Sequence, residues 1–205
     1  MHGSPTPPSE FDLPLSGTAV WAGPEGLGDS SFDDVPPPQA VELPAELGDD
    51  PRIALRRTLG MFATGVTVIT TREGDQVHGM TANAFMSVSL EPPLVLISVD
   101  RRTKMCALLH EGRNYGVSVL CESQSALSDR FAGRAVEAVP EPRFEVIHDT
   151  PLVEGALAHF VATINRSYWG GDHSLFLGRV EYARYGEGTP LLFHGGRYER
   201  LGQVG

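Results

Sequence analysis

From Gly65 to the C-terminus, the strand-like runs of this chain are separated by turns or very short helices. The regular helices of roughly ten to fifteen residues that a βαβ sheet would need between its strands are absent. The run Gly65–Thr71 (GVTVITT) is rich in β-branched residues. Val77–Met80 resumes extended chain after a Gly74-Asp75 turn, and Leu94–Val99 is a continuous apolar strand after Pro92-Pro93. Tyr115–Leu120 (YGVSVL) follows, and the last third alternates over Ala158–Tyr168, His173–Tyr185, Leu191–His194 and Tyr198–Leu201. The helical signals are brief. Pro51 opens one that carries Ile53, Leu55, Leu59 and Phe62 and ends near Gly65. Met105–His110 gives one or two turns, and SQSALSDRFAG gives a helix closed by Gly133 before an irregular stretch to about Pro142. About six to eight strands with short connections predict a mainly β fold with short helices, a closed or half-closed barrel rather than a βαβ sheet.

The formal charge of −10 belongs to one end of the chain. Residues 1–50 hold 10 Asp or Glu, no Lys or Arg, and 9 of the 16 prolines; residues 51–205 hold 16 acidic and 16 basic side chains. The first segment therefore reads as an acidic, Pro-rich extension without apolar periodicity, for which disorder is the expectation. Residues 51–205 read as one domain, long enough to bury roughly two-thirds of its unfolded surface around a single core. A neutral body and an acidic tail exclude nucleic acid as a partner and disfavour an anionic membrane. Cys106 and Cys121 form neither a CxxC pair nor a Cys–His cluster. No apolar run approaches the roughly 20 residues of a membrane span, and the N-terminus lacks a signal-peptide layout, so the expected location is the cytoplasm.

Most catalytic signatures are missing: GxSxG, GxxxxGK[ST], HExxH and GxGxxG do not occur. A Ser-His-Asp hydrolase stays formally possible, but nothing sets a nucleophile beside a base. Three local features remain. Met80-Thr81-Ala82-Asn83-Ala84 leads into an apolar strand with side chains too small to bury much area; such a low wall suits a flat heteroaromatic ring, or equally a strand-to-turn passage. Asp100–Met105 (DRRTKM) sets Arg101, Arg102, Thr103 and Lys104 at a helix start, which suits a phosphate or else is a solvated basic turn. Gly170–Val180 (GGDHSLFLGRV) opens a strand with Asp172-His173, which can orient a ligand or simply cap a turn.

Taken together and in this order, the stretches GMFATGVTVITT, HGMTANAFMSVSLEPPLVLISV, YGVSVL, LSDRFAG, GDHSLFLGRV and PLLFHGGRY resemble one family. It is that of the small NAD(P)H:flavin oxidoreductases, the reductase components of two-component monooxygenases such as phenol and 4-hydroxyphenylacetate hydroxylases. The resemblance runs from Ile53 to Leu201 and leaves out residues 1–50. It implies a flavin-binding split β-barrel that forms a homodimer, with FMN or FAD reduced by NADH or NADPH. The reduced flavin would pass to a partner monooxygenase, by free transfer or weak contact. It also implies roles for particular residues. Met80, Thr81, Ala82, Asn83 and Ala84 would wall the flavin ring, with Ser87 nearby. Arg102, Thr103 and Lys104 would meet the flavin phosphate, and Cys121 and Phe131 would border the flavin. His173 would act at the nicotinamide, with Arg197 and Tyr198 closing over it. Many relatives carry Ser-x-Thr where this chain has Thr103-Lys104-Met105, so one hydroxyl is missing, which Lys104 can offset by charge. The competing readings are a flavin-binding electron-transfer or sensor protein on the same barrel, a pyridoxamine phosphate oxidase, and a scaffold whose active part is the acidic tail.

Overall fold

The computed structural model describes residues 50–134 and 141–202. The acidic extension, apart from Asp50, lies outside the described residues. Helix α1 (Pro51–Leu59) starts as its sequence dictates: the Asp50 carboxylate accepts from Arg52 N–H, Pro51 opens the first turn, and Arg56 and Arg57 sit at the C-terminal end. It stops at Leu59, short of Gly65, because Thr64–Gly65 (β1) is drawn off to pair with the short strand β11 (Leu192–His194). Its apolar positions do not face the core. Ala54 alone is buried, while Leu59 and Phe62 are 66% and 77% exposed. A helical period identifies an apolar face without saying what covers it.

The main sheet has seven antiparallel strands: β2 (Thr67–Glu73), β3 (Gln76–Ala82), β4 (Phe85–Leu90), β5 (Pro93–Asp100), β6 (Asn114–Val119), β9 (Ala158–Gly170) and β10 (His173–Tyr185). Their spatial order is β3-β2-β6-β9-β10-β5-β4. Among the described residues a hydrogen-bonded closed barrel is therefore not formed, and β3 and β4 are the edges of the sheet. These two edges are nonetheless consecutive in the chain, joined by Asn83-Ala84 alone. A flat seven-stranded sheet would set them roughly 29 Å apart, whereas the link spans at most about 11 Å. The sheet must curl until its edges meet at the link. The core agrees: Met80 and Ala82 from one edge and Phe85 from the other pack against one cluster with Ile69, Ile97, Val117, Ile164 and Phe176. Helix α2 (Lys104–Leu108) and the residue after it send Met105 and Leu109 into the same cluster.

A second layer packs on this body. The hairpin β7 (Phe144–Ile147)–β8 (Thr150–Val153) is fastened by Thr70 Oγ donating to Pro151 O and by Val153 N–H donating to Ser118 Oγ at 2.9 Å. His159, buried in β9, adds Nε2–H to Val153 O at 2.7 Å. Helix α3 (Ser125–Phe131) ends at Gly133, whose φ of +72° is the left-handed stop that the sequence signalled. Strand β12 (Arg197–Glu199) pairs with β11.

Two segments are not legible as strands in the sequence. Strand β4 is obscured by the small residues ahead of it. The hairpin turn uses His148-Asp149, both at positive φ (48° and 57°), where a two-residue turn of this hand ordinarily takes Asn-Gly.

Candidate functional site

Along β3, alternation sends Met80 and Ala82 to the core and Thr81 to the outer face, where its hydroxyl donates to Ser128 O at 2.6 Å. Gly79 lies flush against Phe131: a Cβ there would stand 2.5 Å from the ring. Thr81 and Phe131 thus seat α3 on β3. Tyr198, arriving from β12, places its hydroxyl 2.9 Å from Ser128 Oγ and 2.8 Å from Asp129 Oδ1, donating to the carboxylate. Burial raises the Tyr198 phenol above its ordinary value. Asp129 is in turn paired with Arg134 at 2.7 Å. Ser128 is fully buried and joins Thr81 to Tyr198; no sequence signal marks it.

The other two features meet the end of this wall. Asn83 and Ala84 are exposed, and Ala84 O accepts from Ser98 N–H at 3.1 Å on β5. On β5 and β10 the odd and even residues separate cleanly. Val95, Ile97, Val99, Ser174 and Phe176 are buried inside, while Leu96, Ser98, Asp100, His173, Leu175 and Leu177 share a half-buried outer face. Across the strands Ser98 stands opposite Leu175, and Asp100 opposite His173. Hence the Ala84 link, the Asp100 turn and His173 occupy neighbouring strands. His173 Nδ1–H donates to Asp172 Oδ1 at 2.7 Å, which leaves Nε2 as the acceptor side of the ring. The same hydrogen bond holds the Asp172 carboxyl below its ordinary value.

The basic turn is less free than its sequence implies. Arg102 forks onto Asp100, through Nε at 3.1 Å and Nη2 at 2.6 Å, and its guanidinium holds the Asp100 carboxyl well below the usual carboxylate range. Lys104 Nζ stands 2.5 Å from Glu73, whose carboxyl is lowered by that contact. The Arg101 guanidinium lies over the Trp169 ring, 4.2 Å from its centroid, and the Arg101 backbone N–H donates to Asp172 O at 3.0 Å. The Thr103 hydroxyl caps α2, accepting from Cys106 N–H at 3.2 Å and donating to Asp100 O at 2.7 Å. Each cation therefore already has a partner, and the turn offers an anion little net charge. If the turn meets a flavin phosphate, as the resemblance implies, releasing those cations is expected to tighten FMN binding several-fold in Asp100→Asn and in Glu73→Gln, the gain shrinking as salt is raised. Fluorescence titration of FMN checks this; unchanged affinity in both variants would remove the turn from the phosphate site.

The remaining candidates lie further out. Ser87 is exposed on β4 opposite Val95. The Cys121 sulfur faces Ser123 Oγ at 3.2 Å and Gly155 O at 3.7 Å, ahead of α3. Arg197 is exposed and pairs with Glu199 at 3.4 Å. Trp169, 58% exposed beside the GDH turn, is a neighbour that pattern reading passed over, although its place before two glycines and an Asp-His pair was a usable signal.

A curled antiparallel sheet with a low-walled outer face, a hydroxyl-capped basic turn and an oriented imidazole, and among the described residues no nucleophile–base pair, has the chemistry to bind and align planar ligands rather than to hydrolyse. Residues 59–202 match the family model described as "Flavin reductase like domain". The chain belongs to this flavin reductase family. It is 47% identical over 162 residues to an NADH-dependent flavin reductase from Rhodococcus sp, covering 76% of this chain and 92% of that protein. It is 42% identical over 149 residues to the reductase component of 4-hydroxyphenylacetate 3-monooxygenase from Thermus thermophilus, covering 72% and 95%. Among solved structures it superposes on the flavin reductase PheA2 in its native state with a TM-score of 0.71 at 43% identity, covering 76% of this chain and all of that one. The NADH:FAD oxidoreductase SgcE6 of Streptomyces globisporus, in complex with NAD and FAD fragments, gives 0.69 at 41% identity, covering 76% and 96%.

Proposed function

We propose that the protein uses NADH or NADPH to reduce FMN or FAD and supplies the reduced flavin to a partner monooxygenase. The observation that carries this reading is the meeting of Ala84, Asp100–Thr103 and Asp172–His173 on adjacent strands, in a chain whose family match spans residues 59–202. The residues fit the ligand. Small side chains from Ala82 to Ala84 leave room for a ring against the backbone, and the Thr103 hydroxyl and neighbouring cations stand where a phosphate can end.

When bound, the flavin supplies the acceptor for the nicotinamide hydride, at N5. The chain's own work is alignment. Met80–Ala84 and the outer leucines Leu96 and Leu175 provide a flat floor. Arg102, Thr103 and Lys104 anchor the phosphate end, with their charge held in check by Asp100 and Glu73. His173, fixed by Asp172, offers Nε2 to a donor such as the nicotinamide carboxamide and positions that ring without having to move a proton. Several relatives are named as NADH-dependent, which supports NADH over NADPH as donor.

An outer sheet face cannot cover a ring by itself. The apolar residues left exposed on α1 and after it (Leu59, Met61, Phe62) and on edge strand β4 (Met86, Val88, Leu90) support a homodimer of split barrels, in which the second copy supplies the cover. In this reading residues 51–205 are the catalytic unit, 1–50 is an appendage to it, and the reaction runs in the cytoplasm. Among the described residues no helix is long and apolar enough to cross a membrane.

The test is anaerobic. The protein is mixed with FMN or FAD, NADH or NADPH is added, and the yellow absorbance is followed. Bleaching that requires the protein, fastest with NADH, is the expected result. Flavin binding without bleaching by either donor would replace the reductase by an electron-transfer or sensor protein.

A further inference from the structure

The turn of β7–β8 and the loop entering β6 enclose a polar cleft at the end of the sheet where β2 turns into β3. Arg72, Arg113, His110, Asn114, His148 and Asp149 are among the residues that line it. Both guanidiniums are fixed by their Nε. Arg72 Nε–H donates to Asp149 O at 3.1 Å and lies 3.3 Å from its carboxylate. Arg113 Nε–H donates to Thr71 Oγ at 3.2 Å, and that hydroxyl donates onward to Asn114 O at 3.2 Å. Among the described residues neither guanidinium spends an Nη group on a hydrogen bond or an ion pair. Two oriented forks, two imidazoles and the Asn114 amide thus share a cleft with a single carboxylate, Asp149.

The backbone supports the same reading. His148 and Asp149 both hold positive φ, a conformation that Asn or Gly adopts with less strain, and they do so at the lip of the cleft. A strained turn persists when its surroundings determine it. Here those surroundings are Arg72 on Asp149 and Asn114 Nδ2, which donates to His148 O at 3.5 Å. An Asn-Gly turn would be easier to form but would carry no imidazole into the cleft.

We propose that this cleft binds a phosphate-bearing small molecule, with the phosphate dianion bridging the guanidiniums of Arg72 and Arg113. Planar N–H forks suit phosphate oxygens, and a dianion gains from both at once. The cleft shares none of its lining residues with the proposed flavin site, although Glu73, between Arg72 and Gly74, is the partner of Lys104, and the proposal does not depend on flavin reduction being correct.

The full-length protein, held in saturating FMN so that the flavin phosphate site is filled, is melted in inorganic phosphate and in chloride at matched pH and ionic strength. Phosphate is expected to raise the melting temperature of the wild type and to bind with a stoichiometry of one by calorimetry. Arg72→Gln and Arg113→Gln are expected to abolish both effects while NADH–flavin turnover is retained, which also shows that they fold. Absence of a phosphate effect in the wild type would overturn the proposal, as would an equal effect in both variants.

Discussion

Gly178→Ala is expected to cost about 3 kcal/mol of stability, an overpacking penalty at the upper end of the usual range. On a domain of this size that lowers Tm by roughly 6–12 °C. Gly178 sits in the interior row of β10. A Cβ there would overlap the Tyr115 hydroxyl and stand 2.9 Å from its Cε1 and 3.0 Å from Ala162 Cβ. Tyr115 and Ala162 are both fully buried, so neither can swing away. The hydroxyl is itself anomalous, because among the described residues it has no hydrogen-bond partner, and burial pushes its pKa well above that of a free phenol. Deleting an unpartnered buried hydroxyl removes a desolvation cost of about 1–3 kcal/mol, so Tyr115→Phe should stabilise the protein or leave it unchanged. It also removes the atom that collides with the new methyl. The double variant is therefore expected to recover more than about 1 kcal/mol beyond additivity. Thermal melts of the four proteins decide the matter, and strictly additive costs would show that the clash is relieved by backbone movement instead.

The second large effect is on the reaction. His173→Ala should raise KM for NADH by about 5–30-fold, the worth of one or two kcal/mol of lost contact, with a smaller fall in kcat. The reason is positional. Asp172 accepts the hydrogen bond from Nδ1–H, so Nε2 is the acceptor side of a ring on the same outer face as Ser98 and Leu175. A group that holds the donor ring alike in ground and transition states shows in KM; one that moves a proton shows in kcat. Asp172→Asn should shift KM in the same direction by less, because the ring stays in place but loses the partner that fixes its tautomer. Steady-state kinetics with saturating flavin separate the cases. A large loss of kcat with KM unchanged would make His173 an acid–base group.

Much of this was legible in the residues, and the exceptions share a cause. Runs such as GVTVITT and LSDRFAG carry their period and their stop signals within a few residues, and they appear as a strand and as a helix closed at Gly133. The glycine-flanked Asp-His pair likewise announces an oriented imidazole. What failed to show depends on partners distant in sequence. The apolar positions of α1 face outward, which only the other elements of the fold can reveal. The hairpin β7–β8 is hidden because His148-Asp149 lacks the usual turn chemistry. The basic turn looked like free charge because Glu73 and Trp169 lie far from it in sequence. Ser128 is invisible for the same reason, being one serine among many until Thr81 and Tyr198 converge on it.

The two-residue link between the sheet's opposite edges has a consequence for assembly. Every strand from β2 round to β5 must be in register before Asn83 and Ala84 can sit where they do, and most of those pairings join segments far apart in sequence. High contact order of this kind slows folding. The wall along β3 is thus set by the cooperativity of the whole sheet rather than by local stability. A ligand seated there draws its hold from the folded sheet as a whole.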